Sequence, residues 1–494
     1  MSRDKKGNVA YFVAKWHLHQ QASEGALMFA EEGYSVDVFL YRASRQLCDL
    51  EPHPNINIID FSEHDEEVSI PGIQDSGNMF GKLYQRVLKQ GKCIVFGTGK
   101  LAEGLLRILP VKAECFIDNN SLKWNSTFLN TPVYSPDTLR SGRPDDLPII
   151  VASSYYDEIS AQLREMGYLK NVDFFYGRDL LDAYYFQEVV LPKSREIVKQ
   201  KEYNAFIGVE KLGLIWAGML AEEKQTPYLY HSLELYTSDH PNWLNKDTGL
   251  RKKEMHYHQN ATATIVQDHA REHVLFKDHG IRQGRSFYVP VSISNFETNG
   301  DSGDFFHKKF GISKEKKILL LLTMFMPGRF CEELVQCAQG LPDEYQVVIH
   351  GPANKAEYLQ SVVELDLNKK VVFSTEVVDH KMLQNLIAEA YIGLAFYRRL
   401  PLNDQLTIFS SDKIARYLQC GIPFLTFDYP TNQKFIRETQ CGQCIKGFDE
   451  LISNVELISN EYEVYSQNAK EAFEKFYDFS KNYRKVVDFI NGYK

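Results

Sequence analysis

Phe409-Ser-Ser-Asp-Lys-Ile-Ala-Arg-Tyr-Leu-Gln-Cys-Gly-Ile-Pro423 reads as a loop, a capped helix and the start of a strand. Ser410 or Ser411 can cap the helix, because a side-chain oxygen at that position accepts from a free backbone N–H of the first turn. Ile414, Tyr417 and Leu418 then fall at i, i+3 and i+4, one apolar helix face. Gly421 ends the helix, and Ile422-Pro-Phe-Leu-Thr-Phe427 reads as the next strand. A helix entered this way offers unpaired N–H groups and the positive end of its dipole, a ready site for a diphosphate. Lys413, in the first turn, adds a point charge. The same letters also fit an ordinary αβ unit with a surface lysine, so the neighbouring segments decide the matter.

Those neighbours repeat the pattern. Short apolar runs stand at Ile318–Thr323, Gln346–His350, Lys370–Phe373 and Ile392–Phe396, each followed by a helical stretch. Buried parallel strands read this way. Upstream, Asn295–Gly303 is rich in Asn, Ser, Gly and Asp and reads as a linker. A second alternating system begins at Asn8–Ala14, continues through strands at Ser35–Tyr41 and Ile56–Asp60, and resumes at Tyr203–Gly208. Between its parts lies a third, with strands at Lys92–Phe96, Glu114–Asp118, Ile149–Ser153 and Val172–Tyr176. The predicted class is α/β: two Rossmann-like domains, with a third Rossmann-like domain inserted in the N-terminal half. The predicted boundaries are 1–77 with 183–297, 78–182 for the insert, and 298–475. A final helix, 476–494, is expected to pack back on the N-terminal domain.

Composition sets limits. A chain of 494 residues is too long for one core. Its net charge of −9 leaves no basic footprint for nucleic acid. The eight cysteines are scattered, and a lone Cys441-x-x-Cys444 pair falls short of a four-ligand zinc site. The start runs straight into a strand without a secretory h-region. No apolar run approaches the roughly 18 residues that span a bilayer. A cytoplasmic protein is expected, with peripheral attachment at the inner face of the membrane left open.

The ordered set of C-terminal segments resembles the donor half of glycosyltransferases with the GT-B fold, of the family-four-like group. Ser411-x-Lys413-x-x-x-Tyr417-Leu418-x-x-Gly421-x-Pro423 is similar to their donor-binding signature. Leu319–Arg329 resembles the first strand and loop, Val347–Gly351 the "vi-x-G" strand, and Phe435–Gly442 the segment after the next turn. The resemblance implies a nucleotide-sugar donor held by Arg329 and Lys413, with Ser410, Ser411, Asp412 and Gly351 around it. Many relatives carry two glutamates separated by seven residues, the second binding ribose. Here those positions are Ile408 and Arg416. Arg416 is expected on a solvated helix face, and Asp412 is the candidate substitute.

Acceptor candidates come from the N-terminal half. Tyr228–Tyr236 resembles a strand followed by "Asp-x-His-Glu-Leu" in some members, with Glu234 kept and His231 at the Asp position. His231, Glu234 and His17, from Trp16-His-Leu-His19, are the catalytic candidates, as base or acceptor contact. Each also fits a hydrogen-bonded loop. Gln267-Asp-His269, Glu210 and Lys211 follow other strand ends.

The insert carries Gly97-x-Gly99-x-x-Ala102, with Asp118 about 20 residues beyond, the spacing of a ribose-binding acid. Gly97, Gly99, Lys100 and Asp118 are its candidate nucleotide site. The block resembles the small domain that begins PglD-type sugar acyltransferases, through Phe116–Asn120, Pro132–Pro136 and Ile149–Ser153. A second bound nucleotide and a purely structural role both remain open.

The expected function is transfer of a sugar from a nucleotide sugar to a glycan or lipid-linked glycan, in bacterial surface polysaccharide synthesis. No Asp-x-Asp pair stands at a suitable turn, so no metal is expected to be required, and no other cofactor. Two rivals stand beside it. One is a non-catalytic nucleotide-sugar-binding or assembly subunit. The other is an NAD-dependent oxidoreductase or epimerase acting through the insert.

Overall fold

The computed structural model describes residues 6–14, 20–41, 50, 52–61, 83–237, 248–292 and 304–493. The chain first forms β1 (Gly7–Val13), β2 (Tyr34–Leu40) and β3 (Ile56–Asp60). The middle block gives β4 (Lys92–Phe96), β5 (Lys112–Ile117), β6 (Thr127–Phe128), β7 (Thr131–Tyr134), β8 (Ile149–Val151) and β9 (Phe174–Tyr176). Then come β10 (Ala205–Val209), β11 (Tyr228–His231), β12 (Ala263–Val266) and β13 (Ser286–Tyr288). The last part supplies β14 (Lys317–Leu322), β15 (Tyr345–His350), β16 (Val371–Ser374), β17 (Ile392–Ala395), β18 (Phe424–Phe427) and β19 (Gly442–Ile445).

These strands build three sheets dominated by parallel pairs. In the first, β3, β2, β1 and β10 lie side by side in that order, and β11, β12 and β13 do the same. The second has the order β16-β15-β14-β17-β18-β19. Numbered from its own first strand that is 3-2-1-4-5-6, the order of a Rossmann sheet. The third, β6-β7-β5-β4-β8-β9, is drawn wholly from the middle block. Its one antiparallel pair is β6 with β7. The three-part α/β class read from the sequence is what the chain builds.

Contacts divide the chain into two compact units: 1–18, 33–228 and 242–261 in one, and 19–32, 229–241 and 262–494 in the other. In the first unit Trp216 is fully buried, with Phe12, Phe39 and Phe186 ringing it at 5.3–6.1 Å. Its helix, Glu210–Lys224, lies hard against β1: a Cβ on Gly213 would stand 2.2 Å from the carbonyl of Phe12. The middle block has a separate core on each sheet face, around Val95 and Phe175 on one side and Phe96 and Ile149 on the other.

In the second unit the strands β14 to β19 are likewise covered on both faces, which is why they read as continuous apolar runs. The terminal helix Phe479–Gly492 packs through Tyr483 on Phe29 of the helix Gln20–Glu31, and through Phe489 on Phe287 of β13. The linker Asn295–Gly303 lies outside the described residues, as does the start of the insert at 78.

Candidate functional site

In an open parallel sheet the ligand crevice lies beyond the carboxyl ends of the strands where the order reverses. In the second sheet that point is between β14 and β17. The helix Asp412–Gln419 begins there, and Ser411 caps it by accepting from the N–H of Ile414 at 3.3 Å. Ser411 also shares a hydrogen bond with the Tyr397 hydroxyl, just past β17. Tyr417 of the same helix donates to the carbonyl of Leu320 at 2.9 Å and so pins the helix to the centre of β14. Gly393 makes room, since a Cβ there would stand 2.4 Å from the Tyr417 ring.

Lys413 leaves the first turn of this helix and reaches the end of β14. Its ammonium donates to the carbonyl of Leu322 at 2.7 Å and stands 4.8 Å from the centre of the Tyr397 ring. Burial, and then the nearby Arg329 guanidinium, bring its pKa down to about 8. Arg329 lies in the loop after β14, and among the described residues no carboxylate pairs with it. Gly351 follows β15 with φ +150°, and a Cβ there would stand 2.0 Å from the carbonyl of Thr323. A side chain at 351 is therefore excluded. Two cations, a helix N-terminus and bare backbone lie at the ends of adjacent strands. That set suits a diphosphate, since the charges are permanent or nearly so.

Two expectations change here. Arg416 is not on a solvated face. It is 1 % exposed and donates to Asp412 at 2.7 Å, to Gln384 at 3.1 Å and to Gln20 at 3.3 Å. Asp412, half exposed, accordingly has one carboxylate oxygen engaged by Arg416. Ile408, at the other glutamate position, is buried at 2 % exposure.

Ser410 turns away from Lys413. Its hydroxyl donates to the carbonyl of Leu406 at 2.9 Å and accepts from Arg271 at 3.0 Å. Arg271 is 1 % exposed and belongs to the helix His269–Asp278. It also donates to the carbonyls of Leu406 (3.1 Å) and Leu233 (3.0 Å) and to the Asn403 side chain (3.0 Å). Asn403 in turn accepts from the N–H of Leu235 at 3.1 Å and donates to the Glu234 carboxylate at 3.2 Å. Glu234 is thus tied, through Asn403 and Arg271, to the loop that leads into Ser411. All these residues belong to the second unit.

His231 ends β11. It is 1 % exposed, its Nδ1 has no hydrogen-bond partner, and burial pushes its pKa down to about 3. At neutral pH the ring is uncharged. His17 lies outside the described residues. Gln267 donates to the carbonyl of Ser232 at 2.7 Å, and Asp268 caps the helix that carries Arg271. In the first unit, Lys211 forms a buried ion pair with Glu254 at 3.0 Å, and Glu210 adopts φ +60° at the end of β10.

The insert is arranged differently. Gly97 has φ +117°, and a Cβ there would stand 2.5 Å from the carbonyl of Ala152. Gly99 begins the helix Lys100–Ile108 with no side-chain cap, and Lys100 is exposed. Asp118 accepts from Thr98 (2.5 Å), from Lys123 (3.0 Å) and from the N–H of Asn120 (2.8 Å). These partners outweigh burial and hold its pKa below the usual range. Among the described residues no group of His, Cys, Asp and Glu is placed to hold a metal ion, and no helix is long and apolar enough to cross a membrane.

Sequence reading missed Arg271, Asn403 and Tyr397. A signal existed for the first. An arginine in the first turn of a helix faces the positive end of the dipole, so it needs a compensating set of acceptors.

Comparison with known proteins follows these divisions. Residues 352–478 match the family model for the C-terminal domain of glucosyltransferase 3-like proteins. Residues 89–172 match the C2185-like N-terminal family. No curated protein matches the chain in sequence. Among solved structures, a sucrose-phosphate synthase from Thermosynechococcus elongatus is similar over 98 % of both chains, at 12 % identity and TM-score 0.56. The N-terminal domain of Candida albicans trehalose-6-phosphate phosphatase is similar over 98 % of this chain and 96 % of its own, at 10 % identity and TM-score 0.58. At such identities the likeness establishes the fold, which is that of GT-B proteins.

Proposed function

We propose that the chain is a glycosyltransferase that moves a sugar from a nucleotide sugar to a glycan or lipid-linked glycan acceptor. The observation that carries this reading is the pairing of Lys413 with the uncompensated Arg329 at the start of a capped helix. Two like charges near each other are unfavourable, Asp412 and Asp404 offset them only in part, and a diphosphate would complete the balance. In the transition state, negative charge grows on the leaving nucleotide, and these groups stabilise it in place. The match of 352–478 to a glucosyltransferase-like domain supports the same reading.

Glu234 is the proposed acceptor-side residue, since Asn403 orients its carboxylate. His231, uncharged and buried, is a weaker base by its lowered pKa. The proposed domains are 1–77 with 183–297 for the acceptor, 78–182 as an insert of PglD-like ancestry, and 298–475 for the donor. The reaction belongs in the cytoplasm, and attachment to the inner face of the membrane suits a lipid-linked acceptor. The buried Ile408 and Arg416 at the ribose-binding positions favour one second reading, a subunit that binds a nucleotide sugar without turning it over.

The test is a thermal-shift and calorimetric screen of UDP, GDP, CMP and their sugars, followed by a transfer assay with radiolabelled donor. Bound ligand raises the unfolding temperature by mass action. Binding with transfer or hydrolysis supports the enzyme. Binding without either supports the second reading, and no binding of any donor contradicts both.

A further inference from the structure

The outer side of the helix His269–Asp278 carries a cavity of about 400 Å³ that the donor and acceptor assignments leave unused. A volume of that order accommodates a small ligand. His269, His273 and Lys277 recur at i, i+4 and i+8, so they line one face of the helix. Arg282, on the following loop, closes the far end, and Phe276 and Ile281 form an apolar floor. A Cβ on Gly284 would stand 2.9 Å from the outer edge of the Phe276 ring, so the loop packs closely on the helix there.

Its charge is unbalanced. Among the described residues neither Lys277 nor Arg282 has a carboxylate partner. The one carboxylate in the lining, Glu272, accepts from the Tyr288 hydroxyl at 2.6 Å. Two fixed cations, two imidazoles and one carboxylate line the same space, a net positive lining in a chain whose net charge is −9. From His269 to Lys277 the helix rises about 12 Å. A single carboxylate reaches only one end of that row. A phosphoryl group also spans only part of it, but its three oxygens and second negative charge accept from more of these donors than a carboxylate can.

We infer that this cavity binds a phosphoryl group, and that in the reaction proposed above the group belongs to the acceptor. The assignment to the acceptor rests on the glycosyltransferase reading; the binding itself does not. The shared chemistry has two sources, a soluble phosphorylated glycan and the headgroup of a lipid.

The test uses the full chain labelled on histidine with ¹⁵N, the two signals being assigned with His269→Gln and His273→Gln. One arm adds inorganic pyrophosphate, the other vesicles containing phosphatidic acid. The expected result is a saturable shift of both signals that weakens about tenfold in Lys277→Ala/Arg282→Ala and with added salt. A shift with pyrophosphate supports a soluble phosphorylated acceptor, and a shift with vesicles alone supports a lipid headgroup. No shift in either arm, or a shift unchanged in the double variant, overturns the inference. A parallel calorimetric titration with nucleotide sugars separates the two claims: silence there with shifted histidines sinks the donor reading and leaves the phosphoryl site standing.

Discussion

At the end of β4 the Gly97–Gly99 turn feeds the helix Lys100–Ile108, and at the switch point beside β14 Ser411 feeds the helix Asp412–Gln419. Both junctions put a helix N-terminus at the carboxyl edge of a parallel sheet. They differ in what the nearby charges do. In the insert, Asp118 is met by Thr98, Lys123 and a backbone N–H, so the charge is balanced inside the protein. At the other junction Lys413 meets a carbonyl and the Tyr397 ring, and among the described residues neither it nor Arg329 forms an ion pair with a carboxylate. A site that waits for a ligand leaves charge unsatisfied, whereas one that has settled into a structural part does not. The comparison therefore favours the Lys413 junction as the donor site and a structural role for the glycine turn.

The strongest way to break this comparison is Lys413→Ala. Removing a charge-assisted contact to a diphosphate costs about 2–3 kcal/mol, so donor affinity should fall roughly a hundredfold by calorimetry. Arg329→Ala follows with about a tenfold loss, because its charge stands on a loop rather than in the first turn of the helix. An unchanged affinity in either variant removes that cation from the site.

The third effect is a pH dependence. With a pKa near 8, Lys413 is charged at pH 7 and mostly neutral by pH 9, so donor affinity should fall several-fold across that interval. The sign for stability is opposite. The folded pKa lies below the unfolded value of 10.5, so the unfolded chain holds more protons between about 8 and 10.5 and the free protein gains stability as pH rises there. Lys413→Arg, which keeps its charge, should flatten the affinity profile; a profile of the same slope in that variant contradicts the assignment. The smallest effect is expected at the other junction. Asp118→Asn should change donor affinity less than about twofold, and a loss comparable with that of Lys413→Ala would reverse the comparison.

Much of the fold was legible because buried parallel strands leave uninterrupted apolar runs, as at Leu319-Leu-Leu-Leu322, and because helices between them end at glycine. Lys413 and Ser411 were legible for a local reason: capping and first-turn position are set by spacing alone. Arg416 was misread because periodicity gives the faces of a helix but not what covers them. Here Gln384 and Gln20 accept from the Arg416 guanidinium, and the residue is buried. The first-turn position of Arg271 shows that it needs acceptors but not which ones, since its partners in the 403–410 loop stand more than 130 positions away in sequence. Such contacts are created by the fold and leave no pattern in the letters.

The central claim is where the donor diphosphate sits, and a crystal structure of the full chain with the tightest-binding nucleoside diphosphate tests it most directly. The account predicts density for both phosphates within hydrogen-bond reach of Lys413 and Arg329, at the start of the helix Asp412–Gln419, with Gly351 lining the approach. Density at the Gly97–Gly99 turn, with none beside Lys413, would contradict it.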